Sequence, residues 1–200
     1  MHTEQVWVCP RRIIEDLVGG PAPGFWRGPL DEVIDTAEAA GYFLDRPRAE
    51  RDESHLQIIP YVLLACRDTY FMVTRLGTQG EARLHGKVSL GMGGHLNPED
   101  GVPPLWGGIT RELREEVGLD ALSREDLEPL GLILEGRNPV ARVHCGIAYR
   151  LRVEQPSRVA IHETDKMAGG WAPRDVILTA YPRCETWSQL LIDHCIRTQD

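Results

Sequence analysis

Apolar and polar positions along this chain predict β-strands on both sides of one amphipathic helix. Runs 57–65 and 70–76 are apolar and rich in β-branched residues, and the polar stretch 67–69 between them predicts a hairpin. Further short apolar runs predict strands at 87–90, 129–135, 143–153 and 158–162. The run 143–153 alternates with period two, which is typical of a half-buried strand.

Helical spacing of apolar residues predicts further helices at 13–18, 30–40, about 174–179 and from Thr186 onward. Between the first two, residues 19–29 are rich in glycine and proline and are expected to form a loop. The charged stretch 42–54 is expected to be irregular. Because elements this short bury little apolar surface, residues 1–55 are predicted to be an N-terminal extension packed on a main domain of residues 56–200.

The stretch 93–119, GGHLNPEDGVPPLWGGITRELREEVGL, contains the central helix. Residues three or four positions apart share one helix face, so Glu112, Glu115 and Glu116 cluster. An apolar stripe lies beside them, formed by Ile109, Leu113 and Val117. Gly118 stands where a left-handed residue would end the helix, and Leu119 can make the accompanying apolar contact.

Two glycines, Gly107 and Gly108, fall near the start of this helix, where each costs about 1 kcal/mol relative to alanine. Either the backbone packs closely at these glycines or the helix begins after them. Both alternatives are open from the sequence.

Like charges on one helical turn repel, so the three glutamates need a partner or free exposure to solvent. Arg111 is four residues before Glu115 and can pair with it. A hard divalent cation such as Mg²⁺ also fits, because it prefers oxygen ligands and is commonly shared between carboxylates and substrate phosphates. A solvated acidic face without function is the third interpretation.

The order of glycine turn, loop and R-E-L-R-E-E-V-G-L resembles the Nudix box, G-x5-E-x7-R-E-U-x-E-E-x-G-U, in which U is bulky and apolar. The second half matches residue for residue from Arg111 to Leu119. The first half differs, because ten residues separate Asp100 from Arg111 where the box has seven. Its first acid is Asp100 counted from Gly94, or Glu99 counted from Gly93. This longer-loop variant resembles the predicted Nudix phosphoesterase branch.

The resemblance implies an α/β fold, a Nudix-type α/β/α sandwich with a mixed β-sheet. It also implies a pyrophosphohydrolase or phosphoesterase that uses Mg²⁺ or Mn²⁺ to cleave a phosphoanhydride bond in a nucleoside diphosphate derivative or similar small diphosphate. The implied metal ligands are Glu115, Glu116, the carbonyl of Gly94, and Glu112, which alternatively orients the attacking water.

Further site residues follow from the same resemblance. Arg111 would orient the glutamates through a charge-assisted pair. A later catalytic acid is expected, with Glu163 as first choice and Glu135 as second. His95 and Trp106 are candidate substrate-binding residues, although a loop histidine is more often simply at the surface and a tryptophan more often packs. The displaced first acid is expected not to be an essential metal ligand.

Composition and charge limit the classes of partner and the location expected for this protein. The net charge of −8 argues against coating a nucleic-acid polymer, while a bound metal can still reverse the local field for a small diphosphate. No apolar run is long enough to predict a membrane span. The five cysteines are widely spaced without a metal-binding pattern, so they are expected to be reduced thiols in a cytoplasmic protein. Whether the protein forms a homodimer is left open.

Two alternatives to a hydrolase stay open. A Nudix-fold ligand-binding or sensor module usually loses box glutamates, whereas all three are present here. An isoprenoid diphosphate isomerase would need a cysteine motif near the site, and neither Cys66 nor Cys145 lies in one. The substrate itself cannot be chosen from the box, because specificity lies in loops outside it, which are expected here at 19–29, 42–55 and 77–86.

Overall fold

Strands and helices alternate along the chain, and a computed structural model describes residues 3–21, 24–76, 86–120 and 122–198. The strands are β1 (Gln5–Pro10), β2 (Gly24–Trp26), β3 (Tyr42–Asp45), β4 (His55–Cys66), β5 (Thr69–Arg75), β6 (Val88–Ser89), β7 (Gly91–Met92), β8 (Leu127–Leu134), β9 (His144–Arg152) and β10 (Met167–Pro173). The helices are α1 (Arg11–Val18), α2 (Leu30–Ala40), α3 (Arg46–Ala49), α4 (Leu105–Val117), α5 (Pro139–Arg142), α6 (Arg174–Ala180) and α7 (Thr186–Leu191). Residues Ile192–Ile196 continue from α7 as a π-helix.

A first compact unit comprises residues 1–61, 93–111 and 129–148. In it, β1 pairs antiparallel with β3 and with the start of β4, and β2 pairs antiparallel with β8. The strand order there is β4-β9-β8-β2. Four fully or nearly buried side chains pack together beside β1: Val6, Val8, Leu44 and Ala49.

A second compact unit comprises residues 62–92, 112–128 and 149–200. Its strand order is β10-β5-β4, with both neighbouring pairs antiparallel. The short strands β6 and β7 pair with β5 and β4 respectively. The buried apolar side chains of this unit include Leu63, Val73, Leu113, Ile177 and Leu191.

Strands β4 and β9 pair in parallel. The N–H of Gln57 donates to the carbonyl of Val143, and the N–H of Val153 donates to the carbonyl of Ala65, so β4 and β9 advance in the same direction. Parallel and antiparallel pairs therefore occur together, which confirms the predicted α/β class with a mixed sheet.

Several local predictions are confirmed. Helices form at 11–18, 30–40 and 174–180, and the hairpin of β4 and β5 turns through Arg67 with φ of +51°. Helix α1 ends as expected at Gly19, whose φ of +80° places it in the left-handed region where a side chain would be strained. Within the described stretches, no helix is both long and apolar enough to cross a lipid bilayer.

Other local predictions are wrong. The expected loop 19–29 contains β2, and the expected irregular stretch 42–54 contains β3 and α3. Residues 158–162 form no strand. Strand β9 is buried on both faces along almost all its length and is not half-buried. The loop predicted over 77–86 lies mostly outside the described residues, and the domain boundary after residue 55 stays a prediction.

Candidate active site

Helix α4 carries the acidic face that the sequence predicts. Its apolar stripe is buried, with Ile109, Leu113 and Val117 at most 2% exposed. The glutamates beside it differ in environment, since Glu112 is partly buried, Glu115 is exposed and Glu116 is only 6% exposed. Carboxylates are seldom buried without a partner, so Glu116 is the most unusual of the three.

The helix ends as predicted. Gly118 has φ of +69°, its N–H donates to the carbonyl of Arg114, and the N–H of Leu119 donates to the carbonyl of Leu113. These two hydrogen bonds satisfy carbonyls that a helix end would otherwise leave unpaired.

The paired glycines at the helix start are explained by close packing in the first unit. A Cβ atom on Gly107 would lie 1.9 Å from the backbone oxygen of Asp100, and one on Gly108 would lie 2.2 Å from Leu96 Cδ2. Helix α4 begins at Leu105, before both glycines, so the alternative of a late start is wrong.

Asp100 is fixed by Arg111 in the first unit. Arg111 Nε donates to Asp100 Oδ1 at 2.7 Å, and Nη2 donates to Oδ2 at 3.0 Å. The same carboxylate accepts the N–H of Asn97, which closes the turn Pro98–Asp100, and its side chain is 1% exposed. Arg111 Nη2 also donates to the carbonyl of His95. Asp100 therefore attaches the loop to the helix, while Glu99 is exposed.

The turn before the helix leaves no room for a side chain. Gly93 has φ of +147°, and a Cβ atom there would lie 2.0 Å from the carbonyl oxygen of Pro60 on β4. This contact requires glycine and sets the position of Gly94 and His95, which follow it in the chain.

His95 is partly buried beside a second histidine of the first unit. Its Nε2 is 3.4 Å from Nε2 of His144, whose Nδ1 lies 2.7 Å from the carbonyl of Val140. Burial lowers the pKa of His95 to about 3, with further lowering by the positive charges of Arg46 and His144. A neutral His95 offers a phosphate hydrogen bonds but no positive charge. The substrate-binding roles of His95 and of Trp106, in the first turn of α4, stay predictions.

In the second unit, Glu116 faces a basic side chain. Arg75 Nη1, at the end of β5, lies 3.9 Å from Glu116 Oε1, and both side chains are largely buried. Backbone bonds attach the segment before β10 to this end of α4: the N–H of His162 donates to the carbonyl of Glu116, and the N–H of Ala160 donates to that of Val117. Residues 158–162, which were predicted to form a strand, therefore include two residues hydrogen-bonded to the end of α4.

Glu163 follows directly in that segment. Its carboxylate forms an ion pair with Lys166, and its carbonyl accepts the N–H groups of Lys166 and Met167. The hydrogen bond with Glu163 is the main cause that raises the pKa of Lys166, and the charge of Glu116 contributes in the same direction. Glu163, the predicted later acid, and Glu116 therefore both interact electrostatically with Lys166. Glu135, the second choice, is buried in the first unit, 3.7 Å from Arg137.

The described carboxylates do not form a complete metal-binding site in this conformation. Among the side chains that the structure describes, no three from His, Cys, Asp or Glu converge closely enough to hold an ion. Arg75 and Lys166 were not predicted from the sequence. The one available signal for Arg75 was its position, since it is the charged residue at the end of an apolar strand.

Comparison with known proteins gives a curated relative of similar length. The Bacillus subtilis (strain 168) protein YmaB is 36% identical over 168 residues, which cover 81% of this chain and 82% of YmaB. No protein-family profile matches the sequence. Among solved structures, Tm1382, described as a candidate Nudix hydrolase, superposes with a TM-score of 0.82 at 27% identity and covers 97% of this chain and 99% of its own.

The chain belongs to the Nudix superfamily. Two more distant structures share the Nudix fold. The Nudix domain of Shewanella oneidensis NrtR, solved with ADP-ribose, has a TM-score of 0.54 at 12% identity and covers 72% of this chain and 89% of its own. The MutT protein of Methanosarcina mazei Go1 has a TM-score of 0.50 at 17% identity and covers 72% and 95%. The predicted Nudix membership and fold class are confirmed. The likeness to Tm1382 supports the coarse class of a Nudix-type hydrolase.

Proposed function

We propose that this Nudix protein is a metal-dependent hydrolase that cleaves a phosphoanhydride bond in a nucleoside diphosphate derivative or a similar small diphosphate. The observation that carries the proposal is Glu116, a nearly buried carboxylate on an acidic helical turn, with the segment of Glu163 hydrogen-bonded to its backbone. A buried carboxylate next to further acids and basic side chains is typical of a functional site.

The donor set fits a hard divalent cation. Glu112, Glu115 and Glu116 offer carboxylate oxygens, which Mg²⁺ and Mn²⁺ prefer. Because the Glu115 side chain is exposed, a change of rotamer on the nanosecond scale could bring its carboxylate toward the ion. When bound, the metal would polarise the phosphoryl group and lower the pKa of an attacking water.

Each residue of the proposed site is assigned a role. Glu115 and Glu116 would be metal ligands, and Glu112 would be a ligand or orient the water through its carboxylate. The carbonyl of Gly94 is kept in the ligand set because of the Nudix resemblance. Glu163 would accept a proton at its carboxylate once Lys166 no longer pairs with it. Arg111 fixes Asp100, and its predicted orientation of the glutamates stays a proposal.

The proposal is tested with a panel of diphosphates, with and without Mg²⁺ or Mn²⁺, by measuring release of phosphate or monophosphate. The panel includes ADP-ribose, because it is the ligand in the NrtR structure. Turnover of at least one member that requires the metal is expected. Tight binding without any product would instead identify the sensor module.

We expect Glu116→Gln to lower kcat/KM by about a hundredfold or more, because it removes a charged metal ligand, and to weaken Mg²⁺ binding in calorimetry. Glu99→Gln is the matched control, since Glu99 is exposed and lies off the helix. Equal Mg²⁺ binding by the wild type and by the double variant Glu115→Gln, Glu116→Gln would refute the metal assignment.

A further inference from the structure

Two basic side chains lie next to the proposed site, one at the end of β5 and one in the turn directly before β10. The register of β5 and β10 places Arg75 opposite Met167, and the N–H of Leu76 donates to the carbonyl of Lys166 at 2.7 Å. Arg75 reaches toward Glu116, and Lys166 pairs with Glu163. Each cation is therefore associated with one of the acids in the second unit that the proposed function uses.

Arg75 is not fully satisfied by this arrangement. The 3.9 Å between Arg75 Nη1 and Glu116 Oε1 is beyond hydrogen-bonding distance, and the Arg75 side chain is 15% exposed. Among the described residues, no hydrogen-bond partner reaches its buried Nε. A guanidinium presents its donors as a planar fork that matches phosphate oxygens. The Arg75 guanidinium can therefore donate hydrogen bonds to a second anion besides the Glu116 carboxylate.

Lys166 differs from Arg75 in being accessible. Its side chain is 45% exposed and its ammonium is held by Glu163, three residues earlier. Exchange of this exposed ion pair for another anion has a small cost, because exposed pairs contribute little stability. An ammonium is a compact point charge that also binds phosphate.

We propose that Arg75 and Lys166 together bind the phosphoryl oxygens of the diphosphate substrate. Arg75 donates a pair of hydrogen bonds from its guanidinium, and Lys166 leaves Glu163 to pair with the same phosphate group. Substrate binding thereby releases the Glu163 carboxylate. This inference rests on the proposed function, because it places the diphosphate beside Glu116.

Calorimetry on the full chain separates binding of the metal from binding of the diphosphate. The probes are Mg²⁺ alone and imidodiphosphate, a diphosphate that resists hydrolysis, in the presence of Mg²⁺. The variants are Arg75→Gln, Arg75→Lys and Lys166→Gln. Arg150→Gln is the matched control, because Arg150 is also a buried arginine with a carboxylate partner, Glu128, which is not on α4.

Arg75→Gln should weaken imidodiphosphate binding about tenfold or more, and Lys166→Gln about threefold, because its charge is more screened. Arg75→Lys should fall between wild type and Arg75→Gln, since it keeps the charge and loses the fork. Binding of Mg²⁺ alone should stay equal or become tighter in all three variants, because positive charge near Glu116 is removed or unchanged. Arg150→Gln should change neither affinity.

Unchanged imidodiphosphate affinity in a folded Arg75→Gln protein would overturn the inference while the proposed function stands. Loss of Mg²⁺ affinity together with diphosphate affinity would show that Arg75 only holds Glu116 in place, and would also overturn it. If Arg75→Gln does not fold, Lys166→Gln decides, because its exposed side chain can be replaced without opening the core. A wild type that binds Mg²⁺ without imidodiphosphate overturns the inference and the diphosphate part of the proposed function together.

Discussion

At the scale of single residues, Asp100 shows how an acid of the motif can serve structure. In the Nudix-box alignment it is a candidate for the first acid, yet its carboxylate is occupied by Arg111 and by the N–H of Asn97. That the displaced acid is not an essential metal ligand stays a prediction, which a substitution of Asp100 can test. The same contacts mean that the residue cannot be replaced without consequence for folding.

We expect Asp100→Asn to lower the free energy of unfolding by about 3 kcal/mol, because it leaves the partly buried Arg111 without its counter-charge. Activity of the folded fraction should stay within about tenfold of wild type, because the remaining glutamates are intact. Urea unfolding measures the first quantity, and kcat/KM corrected for folded protein measures the second.

Glu99→Gln provides the comparison, since the exposed Glu99 should affect neither quantity. A loss of about a hundredfold in the activity of folded Asp100→Asn would contradict the structural role and make Asp100 part of the reaction.

The sequence predicted the geometry of the acidic helix correctly because its motif is local, while the roles of its glutamates stay predictions. Glu112, Glu115, Glu116 and the stop at Gly118 follow from spacing on one helix. Arg75 was not found, because its approach to Glu116 depends on which strand ends near that helix, which no local pattern records.

At the scale of elements, α4 was predictable because its apolar stripe repeats with the helical period and its ending requires a left-handed glycine. The short elements β2, β3 and α3 were missed, since three or four residues give too little periodicity to recognise. Strand β9 was found but was expected to be half-buried. It lies between β4 and β8, and small residues such as Gly146 and Ala148 fill its second face.

The start of α4 gives a prediction at this scale. Gly107→Ala should lower the free energy of unfolding by about 1–3 kcal/mol, although alanine favours helix, because its Cβ would lie 1.9 Å from a backbone oxygen that cannot move aside. Thermal melting checks the loss.

Gly170→Ala in β10 is the control, because an added Cβ there has no atom within 4 Å and the backbone is not left-handed. If Gly107→Ala melted at or above the wild-type temperature, the close approach of loop and helix would be refuted.

At the scale of the whole molecule, the buried thiols predict how stability depends on pH. All five cysteines are free and buried, and burial raises the pKa of Cys9 and of Cys184 to about 11. A raised pKa in the folded state means that the unfolded chain loses thiol protons first. Stability from this source is therefore complete below about pH 9 and falls as pH rises toward about 11.

We expect the native protein to react slowly with a thiol reagent at about pH 8 and all five cysteines to react after unfolding. Between about pH 8 and pH 10.5, wild type should lose more stability than Cys9→Ala, because the variant lacks one such thiol. Most other titrating groups are common to both proteins and cancel, and loss of Cys9 also removes its contribution to the raised pKa of Cys145, which acts in the same direction. Equal losses would contradict the assigned burial of Cys9.

Contacts between segments that are distant along the chain are the part of the fold that local patterns leave out. Each compact unit is assembled from separated segments, and the first joins residues 1–61 with 93–111 and 129–148. Strand β1 hydrogen-bonds to β4, so the N-terminal region shares backbone pairing with later sequence. Such pairing depends on register and hydrogen bonds between distant residues, which local composition does not specify.

The attachment of the segment before β10 to the end of α4 has an evolutionary consequence. The Pro156 carbonyl also accepts a hydrogen bond from Trp171 Nε1, so the segment is anchored from Pro156 onward. A single residue added between Ala160 and Met167 would shift Glu163 and Lys166 relative to the helix. Between Ala160 and Met167, descendants of this protein are therefore expected to differ by substitution and not by length.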